Sequence, residues 1–555
     1  MKDFRTWNTN SLNISSSIAN WALRFAVIIV AILYIKIFTH SVTTDSFSRI
    51  LRFLLLPCLL AVFQVFGVKL NYVSKLLPTK LAFLSLCFIF LQALSLKISK
   101  YFSNNYDYFD FGLIATKIVK YSNLNFFDFL YNSALVNHFQ PIYLLYVLVY
   151  RIFGSLDAVL IFQTLVIFST VIPLWLLGKT LDSNYQVSAS LALFFATSPI
   201  WQFHDLLGLH ADSFIFPAMA WAFYLFCKQR ILGLFMILIA ICASGQTYIP
   251  IAIIFGICVA LEQKNNKIKG LLISVFFVLF FIVVIFAHQI FDSTNSINTL
   301  IDQGEVIGPF YYLLSNSLER ILVTVFTAKR LVLIILVILP FILVLNKIFP
   351  FILLSSASLL IIGFSSEPYH FAYDSHYLAP ILMTLIFIFY IKLLNLKKEK
   401  REFTALLNLG LVVNIFLMLI MSPSIFSLNF VSEYSAGNYN FSKYITSEKK
   451  QQLEGYLHKN NYFNKIQSVE ISNGAFLNSM AFKESLTLFP SNAFNEAKLI
   501  VLEADPKGFG SENNFTKSRE NYKQARKKLP NTHDLLFNTK DFQIYVLKPK
   551  QFLNK

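Results

Sequence analysis

Acidic, imidazole and amide side chains stand out in this sequence because the residues around them are so apolar. Asp107 and Asp110 occur in YDYFDFG, Asn137 and His138 in NHFQP, and His204, Asp205, His210 and Asp212 in FHDLLGLHAD. Gln246 follows in SGQTY, and Glu367, His370, Asp374 and His376 fall together in EPYHFAYDSHY. A carboxylate beside imidazoles can take a proton from a hydroxyl while a ring orients the reacting group. Asp110 has the most unusual setting, shortly after an apolar run and among aromatics, where a carboxylate is held near a bilayer surface with altered basicity. His138 and His376 rank next. Taken singly, each of these groups reads as an ordinary solvated loop residue; five segments sharing one face raise them above that. His204 with Asp205, or His210 with Asp212, has the donor types for a divalent metal ion, but neither spacing is diagnostic. No metal ligand is therefore assigned, and a divalent ion is the one cofactor left open.

A second group is cationic. Arg320, Lys329 and Arg330 fall on the same side as the polar clusters, against the charge bias of the other loops. They either snorkel to phospholipid phosphates or cradle the phosphate of a lipid-linked substrate, for which Arg supplies forked donors. The two readings are evenly weighted.

The elements that must position these groups are membrane helices. Of 555 residues 56% are hydrophobic and 14% charged, with a mean hydropathy of +0.59, against roughly 25% charged in soluble domains. Apolar runs near the ~20 residues needed to cross a hydrocarbon core recur. About thirteen are expected, near residues 20–38, 50–68, 81–99, 158–177, 187–201, 213–226, 231–243, 246–261, 270–290, 331–346, 350–363, 377–395 and 404–421. The first reads as an uncleaved anchor. The basic loops 69–80, 228–230, 264–269 and 397–401 then share one side, which the positive-inside rule makes cytoplasmic. That places the N-terminus inside, the C-terminus outside and the polar clusters outside, in an integral protein of the plasma (inner) membrane. The net charge of +17 is explained by those loops, so nucleic acid is not an expected partner; membrane lipids are. The segment 141–153 is apolar but too short to cross, and reads as a juxtamembrane helix whose Tyr143, Tyr146, Tyr150 and Arg151 suit headgroup depth.

The fold class is thus mainly α: a polytopic membrane helix bundle with a small C-terminal α/β extracytoplasmic domain. Residues 1–100 form N-terminal membrane helices, 101–157 an outer loop with juxtamembrane helices, 158–421 the bundle and 422–555 the soluble part. In the last, strands are expected at 468–471, 485–489, 499–503 and 542–547, with helix-compatible stretches around 447–458 and 515–528. Cys58, Cys87, Cys227, Cys242 and Cys258 lie in or beside apolar runs without metal spacing and read as packing residues.

In this order, FDFGL (109–113), HFQPIYLL (138–145), LLGKTL (176–181), LGLHADSFIFP (207–217) and SHYLAPIL (375–382) resemble the predicted membrane proteins of domain-of-unknown-function family 2079. The tail pieces VEISNGAFLNSMAFKESLTLFP and AKLIVLEAD are similar to that family as well, and the likeness runs along most of the chain after Tyr101. That family in turn resembles the GT-C class of glycosyltransferases. The resemblance implies a GT-C-like enzyme that takes a sugar from a polyprenyl-phosphate-linked donor outside the membrane and passes it to a lipid, glycan or protein acceptor. Asp110 would be the base, with Asp107 as understudy and His138 beside them. His210, Asp212, His376 and Tyr377 would stand in substrate-binding motifs; the topology and charge reading adds Gln246, Arg320, Lys329 and Arg330 to that set. Where the family often has a Lys-acid-acid run, this sequence has the uncharged Gly245, Gln246 and Thr247. That departure implies a different sugar or lipid, or a non-catalytic role. The rivals from other classes are an integral membrane scaffold and a lipid or glycan transporter; a transporter should carry charged or broken midplane helices and repeated halves.

Overall fold

The computed structural model describes residues 78–102, 111, 113–122, 125, 140–291, 337–338, 340–341, 351–364, 377–398, 403–423, 456, 459, 469–471, 486–488, 497–503, 516–538 and 542–548. They form a mainly helical bundle that fits a membrane. The helices are α1 (Thr79–Phe102), α2 (Leu113–Ser122), α3 (Tyr143–Phe153), α4 (Leu156–Phe168), α5 (Val171–Leu181), α6 (Tyr185–Ala196) and α7 (Pro199–Leu207). They continue as α8 (Ile215–Cys227), α9 (Ile231–Ser244), α10 (Ile249–Glu262), α11 (Lys267–Phe291), α12 (Ser356–Phe364), α13 (Leu378–Lys398) and α14 (Thr404–Met421).

Among the described residues four stretches are long and apolar enough to cross a bilayer: Thr79–Tyr101, Leu156–Leu181, Lys264–Val284 and Leu378–Lys398. The runs expected near 187–201, 213–226, 231–243 and 246–261 are shorter apolar helices. One of them is split for a local reason. Pro199 has no backbone N–H and restarts the chain as the first residue of α7. The preceding turn is closed by Trp201 Nε1 and Gln202 Nε2, which donate to the Ala196 carbonyl at 2.9 and 3.0 Å. A gentler break between α4 and α5 has the same origin in Pro173, and there Ser169 and Thr170 turn their hydroxyls back onto the Val166 and Ile167 carbonyls, each at 2.6 Å.

Helix α13 runs through the middle of the bundle, apolar on every side as a fully surrounded helix must be. Phe387 stacks on Phe223 (4.1 Å, 2°) and Phe389 on Phe194 (4.9 Å, 13°). At the periphery α11 turns Ile268, Leu272 and Val283 outward, a face that hydrocarbon solvates and water does not. Its other side meets α10 through small residues: a Cβ on Gly270 would lie 2.5 Å from the Ala260 amide nitrogen, and one on Gly256 2.4 Å from Ser274 Oγ.

The C-terminal region forms a mixed sheet from β1 (Val469–Ile471), β2 (Leu486–Leu488), β3 (Leu499–Glu503), β4 (His533–Asn538) and β5 (Phe542–Leu547), in the order β2-β1-β3-β5-β4. Strands β2, β1 and β3 are parallel, and β5 pairs antiparallel with both β3 and β4. Alternation along β3 decides what each face covers. Leu499 and Val501, with Ile544 of β5, join an apolar cluster with Tyr101, Phe111, Tyr146, Leu160, Leu209 and Phe214. Ile500 and Leu502, with Tyr545, pack instead on Ala525 and Leu529 of α15 (Thr516–Thr532). The sheet is thus sandwiched between α15 and one end of the bundle.

Candidate functional site

The site is built around a strap, residues 208–214, that joins α7 to α8 at the end of the bundle covered by the sheet. Helix α7 stops because Gly208 adopts φ 147°, a conformation other residues avoid. The chain is extended at His210 and then coils into a short turn, Ala211–Phe214, that leads into α8. Gln163 of α4 pins this strap: its Nε2 donates to the Gly208 carbonyl at 2.7 Å, and its Oε1 accepts from the His210 amide at 3.2 Å. Tyr146 of α3 adds a third hold, its hydroxyl lying 2.9 Å from the His210 carbonyl and 3.2 Å from Gln163 Oε1.

Behind the strap sits a buried ion pair. Lys97 Nζ of α1 lies 2.5 Å from Asp205 Oδ1 of α7, and Thr164 Oγ1 is 3.0 Å from both oxygens of that carboxylate. One helical turn on, Lys100 donates to the Leu206 carbonyl at 2.8 Å, satisfying an acceptor that α7 leaves open at its C-terminus.

In front, His204 Nε2 and Ser213 Oγ are 3.0 Å apart, and the rings of His204 and His210 lie 5.9 Å centre to centre. The Asp212 carboxylate acts electrostatically on the hydroxyls of Tyr143 and Tyr248, and Tyr377 also bears on Tyr248. The Tyr248 hydroxyl is buried beside the Asp212 carboxylate. Burial, reinforced by Asp212, pushes the Tyr143 phenol above its ordinary range against the pull of the Ala211 backbone; burial does the same to Tyr146. Both stay neutral hydroxyls, the Tyr146 proton committed to the His210 carbonyl. The turn Gln246–Tyr248 follows α9, whose last turn is tied to the residue before α3: the Ile142 amide donates to the Ala243 carbonyl at 3.0 Å. A Cβ on Gly245 would lie 3.8 Å from Gln140 Nε2.

Of the residues expected from sequence, His210 and Asp212 (both buried), Gln246 and Tyr377 belong to elements that meet at this end. Asp107, Asp110, His138, His376, Arg320, Lys329 and Arg330 lie outside the described residues, as do Glu367, His370 and Asp374. Three chain neighbours of that group are described and belong to the same end: Phe111 in the apolar cluster with Leu209 and Phe214, Gln140 beside Gly245, and Tyr377 beside Tyr248.

Two expectations are corrected. The His204–Asp212 segment is no aqueous loop: His204 and Asp205 are buried where α7 packs against α1, α4, α13 and α14, and the sheet covers Leu209 and Phe214 of the strap. Asp205 is engaged by Lys97 and Thr164, and among the described residues no group of three or more His, Cys, Asp or Glu could hold a metal ion. Tyr146 and Tyr150, expected to face the bilayer interface, are buried against α4 and the strap; on α3 it is Leu148, Ile152 and Phe153 that face outward. Sequence reading also passed over Lys97, Gln163, Thr164 and Tyr248, for their partners lie up to 108 residues away. The signal for Lys97 was available: a lysine deep in an apolar run needs a counter-charge.

A family model described as "Predicted membrane protein (DUF2079)" matches residues 109–471. No curated protein and no solved structure matches the chain.

Proposed function

From the premise that this chain belongs to the DUF2079 family of predicted membrane proteins, we propose that it is a GT-C-type glycosyltransferase. Its donor is a polyprenyl-phosphate-linked sugar and its acceptor a hydroxyl of a lipid, glycan or protein. The observation that carries this reading is the meeting of His210, Asp212, Tyr143, Tyr248 and Tyr377, from four separate segments, at one buried end of an apolar bundle. A conduction path would need such groups along the helices; a transfer site needs them gathered.

In the proposed reaction the Asp110 carboxylate accepts the acceptor's O–H proton as that oxygen attacks the anomeric carbon. The bond between that carbon and the phosphate oxygen breaks, and the phosphate leaves with the electron pair toward Arg320, Lys329 and Arg330. Asp107 is the understudy base, and His138 and His376 orient acceptor and donor. His210, Asp212, Gln246 and Tyr377 hold the sugar, with neutral Tyr143 and Tyr248 as additional donors. The carrier enters sideways from the bilayer, past the outward apolar face of α3. The site, with the C-terminal sheet above it, faces the non-cytoplasmic side of the plasma membrane, as the distribution of basic loops suggests. A divalent ion is not required by any step.

The uncharged Gly245–Thr247 turn favours one rival, a non-catalytic scaffold. The deciding experiment is Asp110→Asn in native membranes supplied with radiolabelled polyprenyl-phosphate sugars. Transfer should fall by at least about 10²-fold with expression and melting temperature unchanged. Turnover at the parental rate removes Asp110 from the mechanism, and no transfer by the parent with any donor favours the scaffold.

A further inference from the structure

We infer that Lys97 and Lys100 of α1 are positioning residues for the strap, so that a helix preceding the family-matched region is part of the site. Helix α1 ends seven residues before the match begins at 109. Its two lysines lie one helical turn apart, on the same face, and both reach the last turn of α7: Lys97 to the Asp205 carboxylate at 2.5 Å, Lys100 to the Leu206 carbonyl at 2.8 Å. Both side chains are buried, as is Asp205. A buried ion pair is weak as a source of stability, because desolvation of two charges consumes most of their attraction; what it fixes well is register. Here the pair and the Lys100 bond together fix Asp205 and Leu206, in the last turn before Gly208. Asp205 adjoins His204, which meets Ser213, which adjoins Asp212. Sliding α7 against α1 therefore displaces the histidine and carboxylate of the strap together.

The test needs no substrate, so its outcome and that of the transferase reading are read separately. In full-length protein lacking the five native cysteines, Ala211→Cys reports strap opening by its rate of maleimide labelling in native membranes; a parallel background retaining only Cys258 reports the distant α10. Lys97→Met or Asp205→Asn should each speed labelling at 211 by at least about tenfold while leaving Cys258 unchanged. The reversed pair, Lys97→Asp with Asp205→Lys, should bring the rate back toward that of the parent. Singles that label at the parental rate, a reversed pair as fast as the singles, or equal acceleration at Cys258 would each overturn the inference. If the singles do not fold, Thr164→Val decides, since it loosens the Asp205 carboxylate without removing a charge: faster labelling supports the inference and parental labelling refutes it.

Discussion

The α10–α11 hairpin and the strap end of the bundle are held together by opposite means. The hairpin is joined by Ser274 Oγ on the Ile253 carbonyl at 2.9 Å, and relies on Gly256, Gly270 and Ala260 to bring backbones close. The strap is held by Gln163, Tyr146, Thr164, Lys97 and Lys100, each bonded to a specific atom. In hydrocarbon, where apolar surfaces have no drive to find one another, close packing gives shape and buried hydrogen bonds give uniqueness. The hairpin therefore depends first on keeping its small residues small. At the strap, volume matters less than the match of donor to acceptor.

Breaking the steric partner should have the largest effect. Gly270→Leu places a side chain where a Cβ already meets backbone at 2.5 Å, and fluorescence-detected size exclusion should find no monodisperse protein. A well-behaved variant would show that the hairpin is looser than described.

Breaking the polar partner should be milder and local. Gln163→Leu keeps the volume but strands the Gly208 carbonyl and the His210 amide, at about 1–3 kcal/mol for each group left unsatisfied. The expected result is a folded protein with a lowered melting temperature and faster labelling of Ala211→Cys, whereas an unshifted melt would remove Gln163 as the pin.

The smallest effect is a pH dependence in the sheet. His533 Nε2 lies 2.8 Å from the Ala497 carbonyl, and burial holds this imidazole below its ordinary value of 6.5, with that carbonyl opposing in part. Since the unfolded chain binds this proton more readily than the folded one, the contribution is whole above pH 6.5 and is lost as pH falls through the lower folded value. Amide protection in β3 and β5, taken relative to the slower intrinsic exchange at low pH, should fall between pH 7.5 and pH 5 more than at the hairpin, and His533→Asn should flatten the difference. An equal loss of protection in both places would mean that His533 is not the cause.

Much of this architecture was legible in the chain. Strands β3 and β5 coincide with the apolar runs expected at 499–503 and 542–547, and α13 and α14 with those near 377–395 and 404–421. Strand β4, HDLLFN, was missed: it lacks β-branched residues and follows α15 without a glycine, so only its pairing with β5 makes it a strand. At the site, the expected loop topology gathered His210, Asp212 and Gln246 to one end and the family resemblance added Tyr377, but the burial of His210 and Asp212 was not foreseen. Whether a polar residue faces water or a covering sheet depends on contacts hundreds of residues apart, and no local periodicity encodes those. The Lys97–Asp205 pair was hidden for the same reason.

The most direct test asks whether residue 110 meets the strap. With cysteines at Asp110 and Ala211 as the only two in the chain, a short bifunctional thiol reagent applied to native membranes should link them, giving a mobility shift absent from either single-cysteine protein. Failure to link, while both thiols remain reactive to a monofunctional reagent, would separate Asp110 from His210 and Asp212 and contradict the shared site.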